Sequence, residues 1–82
     1  MTNYDKLLDA VTTAYGKQAS ILDSTDSKVI IRFEKNEIIE YAVLSHNFKT
    51  VFNGKYYSTQ GQSQDKARNA AWKTYESYAK TN

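Results

Sequence analysis

The sequence predicts a single α+β domain over residues 1–82: an N-terminal helix, a four-stranded antiparallel meander and a C-terminal helix. Three observations lead to this fold class. Apolar residues recur at helical spacing near the N-terminus, they alternate with a period of two from Lys28 to Thr59, and they return to helical spacing after Gln64. At 82 residues the chain has room for one hydrophobic core.

The first helix is predicted over about residues 3–15. Thr2 or Asn3 can cap its start, and Gly16 is placed to end it. Residues 17–27 are predicted to be a connector that leads into the sheet. The apolar stripe of the helix has the spacing of one helical face and consists of Tyr4, Leu7, Leu8, Val11, Ala14 and Tyr15.

The segment Lys28–Leu44 is predicted to form the first hairpin, and the position of its charges favours one register. A two-residue loop beginning at residue 35 would place Glu40 opposite Ile31, among apolar side chains. A three-residue loop over residues 35–37 places Glu40 opposite Arg32 instead, which is a favourable cross-strand pair. The sequence therefore predicts the three-residue loop.

Two further turns are predicted in the second half of the sheet. Asn53-Gly54 is the preferred pair for a type I′ turn, and His46-Asn47 is predicted to form the turn before it. With these registers, the strands share one apolar inner face. The residues predicted on that face are Val29, Ile31, Phe33, Ile39, Tyr41, Val43, Phe48, Phe52 and Tyr57.

The opposite face of the predicted sheet is less polar than a solvent-exposed face usually is. Scattered apolar side chains on an open sheet are one explanation. The other is a surface for protein contact or for homodimerisation. The residues that would form this outer face are Ile30, Ala42, Leu44, Val51 and Tyr56.

The second helix is predicted from about Gln64 to Lys80. Ser63 is its expected N-cap, and Asp65 suits the first turn. The alanines allow the helix to lie close to the sheet. The predicted buried stripe is Ala67, Ala71, Tyr75 and Tyr78.

The charge is uneven along the chain and points to an anion-binding edge. Residues 1–41 contain seven acids and five Lys or Arg, whereas residues 42–82 contain two acids and six Lys or Arg. In the predicted register, the His46-Asn47 turn lies beside the start of the second helix, whose free N–H groups favour phosphate. A solvated basic face is the alternative interpretation. The predicted nucleic-acid-binding residues are His46, Asn47, Lys49, Gln62, Ser63, Lys66, Arg68 and Lys73.

Catalysis, metal and cofactor binding have little support in the composition. His46 is the only histidine, cysteine is absent, and no glycine-rich phosphate loop follows a strand. We therefore expect no catalytic residues, no metal and no cofactor. No apolar run approaches the roughly 18 residues of a membrane helix. Together with the lack of cysteine, this predicts a cytoplasmic protein.

The stretch NGKYYSTQGQSQDKARNAA resembles the C-terminal half of a double-stranded-RNA-binding domain, over about residues 41–78. The positions that match the family pattern are Gly61, Ser63, Ala67, Ala70 and Ala71, with Arg68 in place of a lysine. Gln64 and Asp65 occupy the positions of two phosphate-contacting lysines. The resemblance implies helices on one sheet face and a double-stranded RNA partner. The layout is also similar to DNA-binding domains that read DNA with a sheet.

Two functions follow as hypotheses. The first is a non-enzymatic accessory or regulatory protein that binds double-stranded RNA or DNA. The second is a protein-binding module or inhibitor that contacts a host protein through the outer sheet face. Small cysteine-free domains of this kind are typical of phage and mobile-element genomes, which is an analogy of architecture.

Overall fold

The computed structural model describes residues 2–80, with only the backbone of Lys80. Helix α1 spans Asn3–Tyr15 and helix α2 spans Gln64–Lys80. Between them lie four strands: β1 (Ser20–Ser24), β2 (Lys28–Lys35), β3 (Ile38–His46) and β4 (Val51–Ser58). The predicted α+β class, with an N-terminal helix, a four-stranded antiparallel sheet and a C-terminal helix, is confirmed.

Both helices begin where their capping residues predict, and α1 also ends at its predicted cap. Thr2 and Asp5 form a capping box at α1, with Asp5 N–H donating to Thr2 Oγ1 at 3.1 Å and Thr2 N–H donating to Asp5 Oδ2 at 3.2 Å. The Gly16 N–H closes the helix on the Thr12 carbonyl. At α2, Ser63 Oγ accepts a hydrogen bond from the Lys66 N–H at 3.1 Å. These caps satisfy backbone groups that a helix end leaves without partners.

The strands follow in chain order across the sheet, and this order defines two ends. We call the end with the loops 25–27 and 47–50 the His46 end. The opposite end holds the Asn36-Glu37 turn and the segment 59–63, and we call it the Gly61 end. A strand of eight residues such as β4 spans roughly 23 Å between them.

The β2–β3 hairpin has a two-residue turn, so the predicted three-residue loop is wrong. Lys35 pairs with Ile38, and the turn residues Asn36 and Glu37 have φ of 53° and 67°. Positive φ at both positions is the signature of a type I′ turn. The shift of one residue places Glu40 opposite Phe33 rather than Arg32.

Strand β4 runs straight through the predicted Asn53-Gly54 turn, so that turn is also wrong. Gly54 pairs with Leu44 at a bulge, where the register shifts before His46 pairs with Val51. A Cβ at Gly54 would lie 2.2 Å from the Val43 carbonyl oxygen. Glycine is present here because the neighbouring backbone approaches closely, which is a use of glycine distinct from turn formation.

The fourth strand comes from the predicted connector. Residues Ser20–Ser24 form β1, which pairs with β2 and contains a bulge between Ile21 and Asp23. The sheet thus has the predicted number of strands, but their membership differs. Two predicted strands on either side of Gly54 merge into β4, and the connector supplies β1.

The two helices cover opposite faces of the sheet, which overturns the expectation that both lie on one face. The face under α1 forms one core cluster with Leu7 and Val11, and its other buried members are Ala19, Val29, Ile31, Phe33, Ala42 and Leu44. The face under α2 forms a second cluster with Ala67, Ala71 and Tyr75, and its strand members are Ile30, Tyr41 and Val43. The domain therefore has three layers, helix–sheet–helix. The predicted inner face is divided between the two clusters, and Phe52 is 47% exposed.

Candidate nucleic-acid interface

The residues predicted to form the anion-binding edge lie at different ends of the sheet. His46, Asn47 and Lys49 belong to the His46 end, whereas Gln62 and Ser63 lie at the Gly61 end, where α2 begins. The intervening strand β4 separates the two groups by roughly 23 Å. The expected juxtaposition depended on a turn at Gly54, and it is wrong because β4 does not turn there.

His46 is a buried structural residue, 5% exposed. Its Nδ1 accepts a hydrogen bond from the Phe48 N–H at 3.1 Å. Its Nε2 lies 2.8 Å from the Thr25 carbonyl oxygen and 3.1 Å from that of Lys28. Because carbonyl oxygens only accept, Nε2 carries the proton. The ring thus joins the two loops of the His46 end and is not presented to a ligand.

Three other predicted contact residues use their side chains within the fold. Asn47 Oδ1 accepts from the N–H groups of Lys49 and Thr50 at 3.1 and 2.8 Å, which closes the 47–50 loop. Gln62 Nε2 donates to the Ser58 carbonyl at 2.7 Å. Ser63 caps α2. These polar residues are explained by turn and cap chemistry.

The cations of the predicted set differ in what they contact. Arg68 Nη2 lies 2.9 Å from Asp65 Oδ1, an ion pair between exposed side chains that offsets its charge. Lys66 and Lys73 are exposed on α2 and make no ion pair with any described residue. Lys49 is exposed beside α1, next to Asp9 and Thr13. Lys66 and Lys73 therefore remain as candidate phosphate contacts on the α2 side.

A cleft between β4 and α2 gathers positive charge around Lys73. It has a volume of about 310 Å³ and is lined by Lys55, Lys73, Thr74, Ser77 and Tyr78. Among the residues that the structure describes, no acidic side chain lines it. Thr74 Oγ1 is hydrogen-bonded to the Tyr57 hydroxyl at 2.5 Å, which fixes one wall of the cleft. Two ammonium groups beside hydroxyl side chains favour an anion.

Two cations on this side of the molecule, Lys28 and Lys55, were not in the predicted site. Lys28 Nζ donates to Ser45 Oγ at 2.8 Å and lies 4.4 Å from the centroid of the Tyr78 ring, a cation–π contact. Lys55 points to the α2 side because it pairs with Val43. The correct register of β4 would have placed Lys55 on this side of the sheet. The predicted turn at Asn53-Gly54 gave a different register, so Lys55 was not identified.

The predicted outer apolar row does not form one surface. Ile30 is buried under α2, and Ala42 and Leu44 are buried under α1. Val51 is half-buried against the α1 cluster, and Tyr56 alone of the five is exposed, at 52%. Because a helix covers each face of the sheet, the open outer face that was predicted as a surface for homodimerisation does not exist.

The core beneath α2 contains one polar atom without a hydrogen bond. The Tyr75 hydroxyl is fully buried, and no described residue lies in hydrogen-bonding geometry with it. Burial, and next the nearby charge of the Asp23 carboxylate, raises the pKa of Tyr75 to about 12. The hydroxyl is therefore protonated at neutral pH, and Tyr75 does not line the cleft.

Compared with known protein families, curated protein sequences and solved structures, the chain matches none of them. Within residues 2–80, no helix is both long enough and apolar enough to cross a membrane. In the same part of the chain, no three His, Asp or Glu side chains are grouped as metal ligands would be.

Proposed function

We propose that this domain is a non-enzymatic, cytoplasmic nucleic-acid-binding protein that holds double-stranded RNA or DNA by its phosphate backbone. The proposed phosphate contacts are Lys55 and Lys73 in the cleft, together with Lys66, which lies about two helical turns before Lys73 on α2. The observation that supports it is the cleft itself, whose described lining combines two lysines from different elements with hydroxyl side chains and includes no acid. Neither lysine forms an ion pair with a described residue.

The spacing of these lysines suits a repeated anion. Lys66 and Lys73 are seven residues apart on one helix, so their Cα atoms are separated by about 10.5 Å along the axis. Lys55 comes from the neighbouring strand and widens the contact sideways. Lysine ammonium and hydroxyl groups bind phosphate without reading base edges, so we expect binding with little sequence preference.

The test is a titration of labelled duplex RNA and duplex DNA, followed by fluorescence anisotropy at two salt concentrations. Three phosphate contacts predict that the association constant falls about 40-fold between about 50 and about 200 mM salt. The double variant Lys55→Glu/Lys73→Glu should abolish this binding. The RNA and DNA arms establish which duplex is preferred.

The matched control is Lys17→Glu/Lys49→Glu, which makes the same charge change at exposed lysines away from the cleft. It should keep most of the affinity, apart from the weaker long-range attraction. Absence of binding at low salt, or an equal loss in both double variants, would refute the cleft as the binding site.

A protein-binding role remains the second candidate, with a different surface from the predicted outer face. Strand β4 is an edge strand, and it exposes Phe52 and Tyr56 at 47% and 52%. An open strand edge with exposed aromatic residues is a common site for an added peptide strand. If Phe52→Lys removes the biological activity of the folded protein while duplex binding persists, this second function is favoured, as an accessory or inhibitor of a host protein.

A further inference from the structure

A second pocket lies at the Gly61 end, on the face of the sheet that carries α1. It has a volume of about 370 Å³ and is formed between the end of α1 and strands β2, β3 and β4. We call it the aromatic pocket, and its lining residues are Ala14, Tyr15, Phe33, Glu34, Lys35, Glu40 and Tyr56. It shares no lining residue with the cleft between β4 and α2 that contains Lys55 and Lys73.

Three aromatic rings form one wall of the aromatic pocket. The Tyr15 and Phe33 centroids are 4.8 Å apart, and the Tyr56 centroid lies 6.3 Å from each of them. The Tyr15 and Tyr56 hydroxyls are hydrogen-bonded at 2.5 Å, which holds the exposed Tyr56 ring against the buried Phe33. The wall is therefore already assembled without a ligand, which lowers the entropic cost of binding.

On the α1 face of the sheet, the lining carries the Glu40 carboxylate and the Lys35 ammonium group. Glu40 pairs with Phe33 across the hairpin, so its half-buried carboxylate lies beside the rings. Glu34 pairs with Ile39, whose side chain packs under α2, so the Glu34 carboxylate leaves the opposite face of the sheet. Lys35 is the one cation among the lining residues. None of the three makes an ion pair with another described residue. Burial and the hydrogen bond to Tyr56 raise the pKa of Tyr15, so that hydroxyl stays neutral at physiological pH.

We propose that the aromatic pocket binds an alkylated ammonium group, with the cation against the Tyr15–Phe33–Tyr56 wall and its charge matched by Glu40. Aromatic faces attract cations through their quadrupole, and a nearby carboxylate adds to this attraction. An anion placed against the rings would meet the Glu40 carboxylate. A bare metal ion would find no group of three ligating side chains among residues 2–80.

The test is an NMR titration of the whole protein with choline, using 3,3-dimethylbutan-1-ol as the uncharged isostere. We expect saturable shifts at Tyr15, Phe33 and Tyr56, with choline binding roughly fivefold or more tightly than the isostere. Glu40→Gln should weaken choline binding at least about threefold, whereas Lys35→Gln should strengthen it, because the substitutions remove opposite charges.

A matched pair of tyrosines separates the pocket from general surface binding. Tyr56 and Tyr4 are both 52% exposed, but only Tyr56 lines the pocket. Tyr56→Leu should abolish the saturable shifts, and Tyr4→Leu should leave them unchanged. Equal binding of the isostere, no saturation up to about 20 mM choline, which corresponds to negligible affinity, or unchanged binding in Tyr56→Leu would overturn the proposal.

A peptide with one trimethyllysine, compared with the same peptide carrying unmodified lysine, identifies the source of the cation. Tighter binding of the trimethylated peptide than of choline supports a cation carried on a protein. Tighter binding of choline supports a free small molecule. Equal binding of both peptides, with no shifts at the pocket, would contradict the proposed alkylammonium recognition.

Discussion

Gly54 and Gly61 are glycines for opposite physical reasons, and asparagine substitution at each position tests both reasons. Gly54 lies in a strand, where a Cβ would be 2.2 Å from the Val43 carbonyl oxygen and 2.5 Å from Leu44 Cδ2. Gly61 has φ of 85° with nothing within 4 Å of an added Cβ. Asparagine tolerates the left-handed region but cannot avoid a clash of its own Cβ. Gly54→Asn should therefore be destabilising and Gly61→Asn tolerated.

The size of the effect follows from the contacts. Overpacking of a well-packed site costs about 1–3 kcal/mol. Replacing glycine also restricts the unfolded chain, which offsets about 0.4–1 kcal/mol of that cost. We expect Gly54→Asn to lower the free energy of unfolding by about 1–2 kcal/mol, which corresponds to a fall in Tm of roughly 5–15 °C for a domain of this size. Gly61→Asn should change it by less than about 1 kcal/mol.

The assay is thermal and urea unfolding, followed by far-UV circular dichroism and by the fluorescence of Trp72. The alternative register, with Asn53-Gly54 as a type I′ turn, makes a different prediction because asparagine is accepted in such turns. A Tm for Gly54→Asn within about 2 °C of the wild-type value, which is less than 1 kcal/mol, would refute the continuous β4 strand.

Three further predictions concern the turn, the buried phenol and the buried histidine. Glu37→Gly should raise the free energy of unfolding by about 1 kcal/mol, since it creates the preferred Asn-Gly pair at a residue with φ of 67°; an unchanged or lower urea midpoint would contradict the turn type. Tyr75→Phe should be neutral or slightly stabilising at pH 7, because the lost hydroxyl has no hydrogen bond. The folded pKa of Tyr75 is raised from 10.0 to about 12, so between these values the folded protein keeps a proton that the unfolded chain has lost. The free energy of unfolding is therefore unaffected below pH 10 and falls as the pH rises towards 12. Between pH 10 and 12, the free energy of unfolding of the wild type should fall by about 1.4 kcal/mol per pH unit more than that of the variant. Superimposable curves of stability against pH would contradict the raised pKa of Tyr75. His46→Ala should cost about 2–4 kcal/mol in urea unfolding and speed amide exchange in the loops 25–27 and 47–50; protection equal to wild type would show that His46 does not join them.

The helices were predicted correctly from local sequence, because caps and helical periodicity depend on residues that are close together in the chain. Thr2, Gly16 and Ser63 occupy the capping positions that the sequence indicates. The α+β class followed from the same local evidence. The strand registers were not local, since each depends on which face of the sheet is covered.

The sequence contains one indication that the helices cover both faces of the sheet, and a sheet buried on only one face does not account for it. The runs Val29–Ile31 and Tyr41–Leu44 are apolar at every position. Such runs are typical of strands that are buried on both faces. An alternating interpretation assigned half of these residues to solvent, which produced the outer apolar row and misplaced Ala42 and Leu44.

The candidate site depended on the misleading pair Asn53-Gly54. Local preference favours a turn there, but pairing with β3 over the whole length of β4 outweighs it. Lys73 and Lys66 were predicted from helix periodicity alone and remain candidates. Lys55 required knowledge of the sheet, and His46 required knowledge of burial.

The order of α2 after the four strands has a consequence for synthesis in the cell. Helix α2 leaves the ribosome after α1 and all four strands, so these elements can assemble while the face that α2 will cover is still open. Ile30, Tyr41 and Val43 then form an exposed apolar surface on a nascent chain, the kind of surface that chaperones recognise. Slow translation of α2 would prolong that exposure and favour aggregation of the assembled sheet.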